Sequence, residues 1–493
     1  MSAELMPPRL SSRESRPAHP RHAVDPRRSG PRTAAALVAF LVFAVVLPLQ
    51  IRGAGSVFYT DTNFLIRYAV AVYAAIKLAM LLWQTDIRPV AGVFWIFVYT
   101  GMGLAPLAQL TTGRSTALAI QVTEDLLTMA SLLTLLGCVC FDLAYHLRLR
   151  TRRSSRGPRL RFRTLRSLEV LRVFSVASVL AALVYIVQVG GPAVFFLSRQ
   201  ETSQALDAIS PDSGQALRAI VSAAGSVACL TALIFYIHVW RTRDRKLATV
   251  DGFLIAVLVI INVIVNNPIS NSRYWTLAVV FGVLLPLIRG RKGLFNAAVA
   301  GGVIASVVIF PLSDITRRAA GAGVPIQSDS IWATIATKDY DQFTMLANTL
   351  GYTLDHGIAW GMQALGPLLF WVPRVAWPEK PLDTGVEVGM WMNSNNLNLS
   401  APLWAEAWIN FGLLGLILVF VGLGLLARRL DSGFRAEILS KGSVGYLGIS
   451  IFAGYLFIIL RGSLLQSMGR LMILVLSILI LTAVTNRKER LER

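Results

Sequence analysis

The sequence predicts an all-α polytopic membrane protein with about twelve transmembrane helices and one long polar loop late in the chain. Three observations predict it. The 493 residues are 55% hydrophobic, with a mean hydropathy of +0.59. The apolar residues gather in repeated runs of about 20, the length a helix needs to cross a bilayer. Of the 47 Lys and Arg residues, 32 fall on alternate connectors between those runs. A soluble globular protein has none of these properties.

Residues 1–32 are rich in Pro, Ser and Arg without apolar periodicity, and read as a disordered basic cytoplasmic tail. The tail is too long and its charge too dispersed for the start of a signal peptide. Nine apolar runs follow within 33–312, near 33–51, 65–84, 89–110, 124–147, 168–190, 215–240, 250–266, 273–288 and 294–312. Residues 313–402 form the long loop. Three more runs, near 403–427, 444–460 and 464–485, fill 403–485, and 486–493 is the C-terminal tail.

Basic residues set the orientation. The N-terminal tail holds 7, the 148–166 loop 9, and 241–246, 428–441 and 487–493 hold 4 each. The positive-inside rule then puts both termini in the cytoplasm and the 313–402 loop outside. The outer connectors carry 13 basic against 15 acidic residues and are close to neutral. The net charge of +20 is therefore a topology signal, and nucleic acid is excluded as a partner. Anionic membrane lipids of the inner leaflet are the natural partner of the nine-Arg loop.

Cys138, Cys140 and Cys229 all lie in apolar runs, which supports neither a disulfide framework nor a thiolate metal site. The chain has no internal repeat, no GxxxxGK[ST], no HExxH and no GxSxG at a suitable turn. Asp339-Tyr340-Asp341 matches the DxD pattern of sugar-nucleotide enzymes, but it lies outside, where sugar nucleotides are absent, and no metal is expected there.

The long loop is the candidate functional region, since loops of this length are functional or disordered. Six tryptophans from Trp332 to Trp404 argue against disorder. Phe343, Leu346, Leu350 and Leu354 recur at helical spacing and predict an amphipathic helix lying along the membrane, ending at Asp355 and His356. Ionisable residues at membrane depth are costly and point to function. Arg218, Arg273, Arg461 and Arg470 sit at outer helix ends, and Arg317, Arg318 and Arg374 in the loop. Forked guanidinium donors suit phosphate oxygens, and the alternative is anchorage to lipid headgroups. Glu406, between Trp404 and Trp408, suits an acid, a base or an ion pair with a helix-end Arg. Asp61, in the first outer loop, is a weaker candidate base.

The Ser272-Arg273 pair, the segment 372–381 (VPRVAWPEKP) and the stretch 404–415 (WAEAWINFGLLG) together resemble the O-antigen and exopolysaccharide repeat-unit polymerases (Wzy-type), which are related to the O-antigen ligases. The last stretch is similar to that family's E-x-x-x-N-F-G-x-x-G helix start, through Glu406, Asn410, Phe411, Gly412 and Gly415. The resemblance implies a GT-C-like fold in the bacterial inner membrane. It implies a metal-independent, inverting glycosyltransferase without cofactor, acting on a polyprenyl-pyrophosphate-linked oligosaccharide at the outer face, with a chain-length regulator as a further partner. By the same resemblance Arg273 and one of Arg317 or Arg318 hold the pyrophosphate, with Arg374, Arg461 and Arg470 beside them, and His356 or Glu406 acts on the acceptor hydroxyl. The alternatives are a ligase-like transferase and a lipid-linked oligosaccharide flippase.

Overall fold

A computed structural model describes residues 30–54, 62–112, 122–147, 161–196, 220–242, 246–310, 332, 335–336, 340–395, 397, 399–440 and 442–486. Among them, nine helices are long and apolar enough to cross a membrane. These are α1 (Arg32–Gly53), α2 (Thr62–Trp83), α3 (Pro89–Thr112), α4 (Glu124–His146), α5 (Leu168–Gln188), α6 (Ile220–Thr242), α9 (Lys292–Ile309), α13 (Leu403–Ile438) and α15 (Leu464–Leu481). Three shorter apolar helices complete the bundle: α7 (Thr249–Val265), α8 (Arg273–Ile288) and α14 (Gly445–Arg461). Between α9 and α13 lie three cap helices, α10 (Gln342–His356), α11 (Met362–Leu368) and α12 (Thr384–Trp391). The chain is a helical, multi-pass membrane protein, and each expected apolar run among the described residues is a helix.

Hydrophobicity gives no driving force between helices in lipid, so small residues that let backbones approach are what join them. Two interfaces use this directly. On α13, a Cβ at Gly424 would sit 2.3 Å from the Phe141 carbonyl of α4. On α14, a Cβ at Gly454 would sit 2.4 Å from the Ala278 carbonyl of α8.

At the end of the bundle away from the cap, α13 runs to Ile438, beyond the expected 427. The extension is held by Asp431, fully buried, which accepts hydrogen bonds from Val90 N (2.9 Å), Ala91 N (3.2 Å) and Tyr145 Oη (2.9 Å). Val90 and Ala91 open α3, so a side chain from another helix caps it.

The all-α class holds, and two details within it are corrected. One short ribbon joins the helices: β1 (Arg161–Leu165) pairs antiparallel with β2 (Thr482–Asn486), in register from Arg161 opposite Asn486 to Leu165 opposite Thr482. The last helix therefore stops at Leu481 rather than 485, where β-branched Thr482, Val484 and Thr485 favour strand. Helix α10 does not lie along the surface, because every residue from Gln342 to Gly351 is buried and the helix packs between α4 and α13. Its polar side chains explain the depth: Gln342 bonds Tyr274 Oη, Thr344 bonds Gln109, and Asn348 and Thr349 bond back to their own helix.

Candidate functional site

The cap is joined to the bundle by a break in α13. Phe411 (φ −145°, ψ 21°) and Gly412 (φ 56°, ψ −137°) leave the helical path, which frees the carbonyls before them. The cap fills those vacancies: Ala359 N donates to Ile409 O at 2.8 Å, and Gly361 N to Asn410 O at 3.1 Å. The Asn410 side chain accepts from Ala364 N at 2.8 Å and caps α11, whose own N-cap residue, Gly361, has no side chain to do so. The Asn-Phe-Gly sequence is thus a hinge between a buried first turn of α13 and its membrane portion.

A second stretch of the cap, 370–381, is stapled to itself. Lys380 is buried and donates to Phe370 O (2.8 Å) and Val372 O (2.9 Å). Arg374 donates to Lys380 O (2.5 Å) and Pro381 O (3.1 Å). Burial, and then the neighbouring Arg374 charge, hold the Lys380 ammonium below its ordinary pKa.

Two of the expected arginines, Arg461 and Arg470, lean on the first turn of α8, which a third, Arg273, opens. Ser272 caps this helix by accepting from Trp275 N at 3.2 Å. That fixes Arg273, Tyr274 and Trp275 on its first turn. The Arg461 guanidinium lies 4.8 Å from the Tyr274 ring centroid, and Arg470 lies 4.6 Å from that of Trp275. The Trp275 indole is held in turn by Asn266 Oδ1 at 2.9 Å. Arg461 also reaches Asp341 Oδ1 at 3.4 Å, whose other oxygen takes Ser400 N at 3.0 Å. Arg470 is half-buried, and among the described residues no carboxylate pairs with it.

Beside the arginines, the turn from Arg461 to Leu464 meets two carboxyls. Glu406 is 3% exposed; its Oε1 accepts from Leu464 N (2.9 Å) and its Oε2 from Thr384 Oγ1 (3.1 Å). Asp383 is 7% exposed and caps α12 through Oδ1, which accepts from Gly385 N at 2.9 Å. Burial holds the Asp383 carboxyl above the usual carboxylate range, against lowering hydrogen bonds. Burial does the same for Glu387, one turn along α12, which accepts from Gln363 and from Tyr352 Oη.

The remaining candidates are not with them. His356 is exposed at the end of α10, stacked on Tyr352 at 4.4 Å between ring centroids. Arg374 serves the 370–381 staple. Arg218, Arg317, Arg318, Asp61 and Asp339 lie outside the described residues. Of the tryptophans, Trp360 and Trp371 are exposed, while Trp404 is fully buried and donates to Thr134 O. Cys138 and Cys229 are buried free thiols and Cys140 is half-buried.

Two residues of this region were passed over in the sequence. Asp383 stands in Leu-Asp-Thr-Gly, a helix-cap pattern with no catalytic signature. Arg67 is buried in the second turn of α2, 3.4 Å from Glu124 and 5.5 Å from the Phe343 ring centroid. The rule that singles out ionisable residues at membrane depth also finds Arg67. The sequence matches no protein-family model, and no curated protein or solved structure matches it.

Proposed function

We propose that the protein is a membrane glycosyltransferase that polymerises polyprenyl-diphosphate-linked oligosaccharide units at the outer face of a bacterial inner membrane. The observation that carries this reading is the arginine cluster on Tyr274 and Trp275. Arg470 is half-buried, leans on an indole face and has no carboxylate partner among the described residues. A guanidinium in that setting calls for an anion, and a diphosphate presents oxygens that suit its planar donors. Arg461 leans on the neighbouring Tyr274 ring, and Arg273 precedes both aromatics in the sequence as the first residue of α8. Fixed cations at a leaving diphosphate stabilise charge that grows as the glycosidic bond breaks, which is the largest single contribution in many transfers.

The topology fits this reading. Taking the three shorter helices as crossings gives twelve, and their 16 or 17 residues rise about 25 Å, near the thickness of a thin bilayer core. The basic connectors then lie in the cytoplasm with both termini, and the cap lies outside with the arginines and the buried carboxyls. A GT-C-like transferase carries its site at this level, where a lipid-linked donor can enter between helices.

The test is to incubate purified protein with lipid-linked repeat units and resolve the products by size. A ladder of multiples supports the polymerase. Transfer of a single unit to a different acceptor would make the protein a ligase. Movement of units across proteoliposomes without new glycosidic bonds would make it a flippase.

A further inference from the structure

The junction of α12, α13 and α15 holds two buried polar atoms that nothing among the described residues satisfies. Asp383 Oδ2 and Ser463 Oγ are buried without a hydrogen-bond partner among the described residues. Ser463 is 1% exposed, and its Oγ lies beside both the Asp383 and Glu406 carboxyls without a well-formed hydrogen bond to either. Serine at a helix start ordinarily caps the helix, but Ser463 does not cap α15. Glu406 takes over part of that task by accepting the Leu464 N–H, which leaves the Ser463 hydroxyl unused. The two carboxyls therefore differ. Glu406 has both oxygens committed to protein donors, and Asp383 has one committed and one open.

A single hydroxyl would complete this junction, giving its proton to Asp383 Oδ2 and accepting from Ser463 Oγ–H. A phosphate or carboxylate would be repelled by two acidic groups. We propose that Asp383 is the base that receives the proton of the acceptor sugar's hydroxyl, with Ser463 holding the oxygen of that hydroxyl. This rests on the glycosyltransferase reading above and names the acceptor's place within it.

The step balances. The acceptor O–H proton passes to Asp383 Oδ2 as the acceptor oxygen bonds to the donor's anomeric carbon. The bond from that carbon to the diphosphate oxygen breaks, and its electron pair leaves with the polyprenyl diphosphate toward the arginines. Ser463 and Arg461 are two residues apart, at most about 7 Å between Cα atoms, so acceptor and leaving group are served from one turn. Two carboxylates face Asp383, Glu406 across the junction and Glu387 one turn along α12, with neutral Ser463, Gln466 and Thr384. Burial holds the Asp383 carboxyl above the usual carboxylate range, the direction that makes it a better base.

The experiment uses the full-length protein in lipid nanodiscs with lipid-linked repeat units, measuring chain extension from pH 5 to 9. Asp383→Asn keeps an oxygen for the Gly385 N–H and a good helix cap, so the fold is retained. The expected result is a fall in kcat of about 100-fold or more, with loss of the acid limb of the pH profile. Binding of the lipid-linked unit stays unchanged, and the melting temperature does not fall. Ser463→Ala is expected to raise the acceptor KM while leaving the acid limb in place. If Asn perturbs folding, Asp383→Ser, also a helix cap, carries the same expectation. Extension by Asp383→Asn within about threefold of the unmodified protein, with the acid limb intact, overturns the assignment and leaves the transferase reading standing. Absence of any product from the unmodified protein overturns both.

Discussion

Asn410 Oδ1 accepts the Ala364 N–H at 2.8 Å, which places the residue that ends the first turns of α13 at the start of a cap helix 46 positions earlier. The same side chain donates from Nδ2 to Glu406 O at 2.8 Å, so one amide ties the buried carboxyl turn to the cap. The break at Phe411 and Gly412 makes this possible, since an unbroken helix has no free carbonyls to offer the Ala359 and Gly361 amides. Local strain and the tether are one device, and the site depends on it.

Gly412 is therefore expected to tolerate no side chain. Its φ of +56° with ψ of −137° is open to glycine alone, and a Cβ there would lie 2.9 Å from Ile358 Cδ1. Gly412→Ala should cost roughly 1–3 kcal/mol. Thermal unfolding in detergent should show the loss, and limited proteolysis should cut first within 357–382. Unchanged stability and unchanged cleavage would mean that the break does not hold the cap.

The arginines separate by what else they hold. Arg470 touches Trp275 and no described carboxylate, so Arg470→Ala should leave the melting temperature unchanged. Losing one charged contact to a diphosphate is worth about 1.5–3 kcal/mol, a fall of roughly 10- to 100-fold in kcat/KM for the lipid-linked donor. Arg461→Ala should reduce both activity and stability, because Asp341 loses its guanidinium partner. Arg470→Lys should rescue only part of the activity, since an ammonium keeps the charge but loses the fork. A silent Arg470→Ala would remove the main support for the diphosphate site.

Stability of the cap should fall as the pH rises through the weakly acidic range. Asp383 and Glu387 both have folded-state pKa values raised by burial. Groups of that kind bind more protons when folded, so their contribution is complete below the ordinary carboxylate value near 4 and is lost as the pH climbs through the raised values. Lys380 shares the cause, burial, but acts in the opposite direction and in a different range: its lowered pKa makes the folded state more favourable as the pH rises toward the ordinary lysine value. Melting curves between pH 4 and 7 test this, and Glu387→Gln should flatten the acidic part of the trend. A melting temperature that rises over that range in the unmodified protein would contradict the assignment.

Helix positions were legible because transmembrane helices declare themselves through length and apolarity, as with 273–288, where Ser272 caps the helix at the expected residue. The Glu406–Asn410–Gly412 stretch was legible as a special helix start for the same reason: a carboxylate, an amide and a glycine interrupt an apolar run. The cap was less legible. Periodicity placed α10 on a surface, but periodicity reports an apolar stripe and does not say what covers the other face, here the polar partners Gln109 and Tyr274. Asp383 gave no signal because its cap role and its open oxygen differ only in three dimensions. The β1–β2 ribbon joins residues more than 300 positions apart, beyond the reach of any local pattern.

The opposite end of α13 supplies a control for all of these. Asp431 takes Val90 N, Ala91 N and Tyr145 Oη in a fully buried setting, 25 residues beyond Glu406 and on the far side of the break at Gly412. Asp431→Ala strands three buried donors, each worth roughly 1–3 kcal/mol, and should destabilise the protein more than any cap substitution. Tyr145→Phe removes one of those bonds and its donor together, so it should cost only about 1 kcal/mol. Because the two residues share one bond, the cost of Tyr145→Phe should largely vanish in an Asp431→Ala background. Neither change touches the arginines or Asp383, so turnover per folded molecule should hold while the folded fraction falls. A drop in specific turnover with Tyr145→Phe, at full folding, would mean that the two ends of α13 communicate and that its break at Gly412 does not insulate the site.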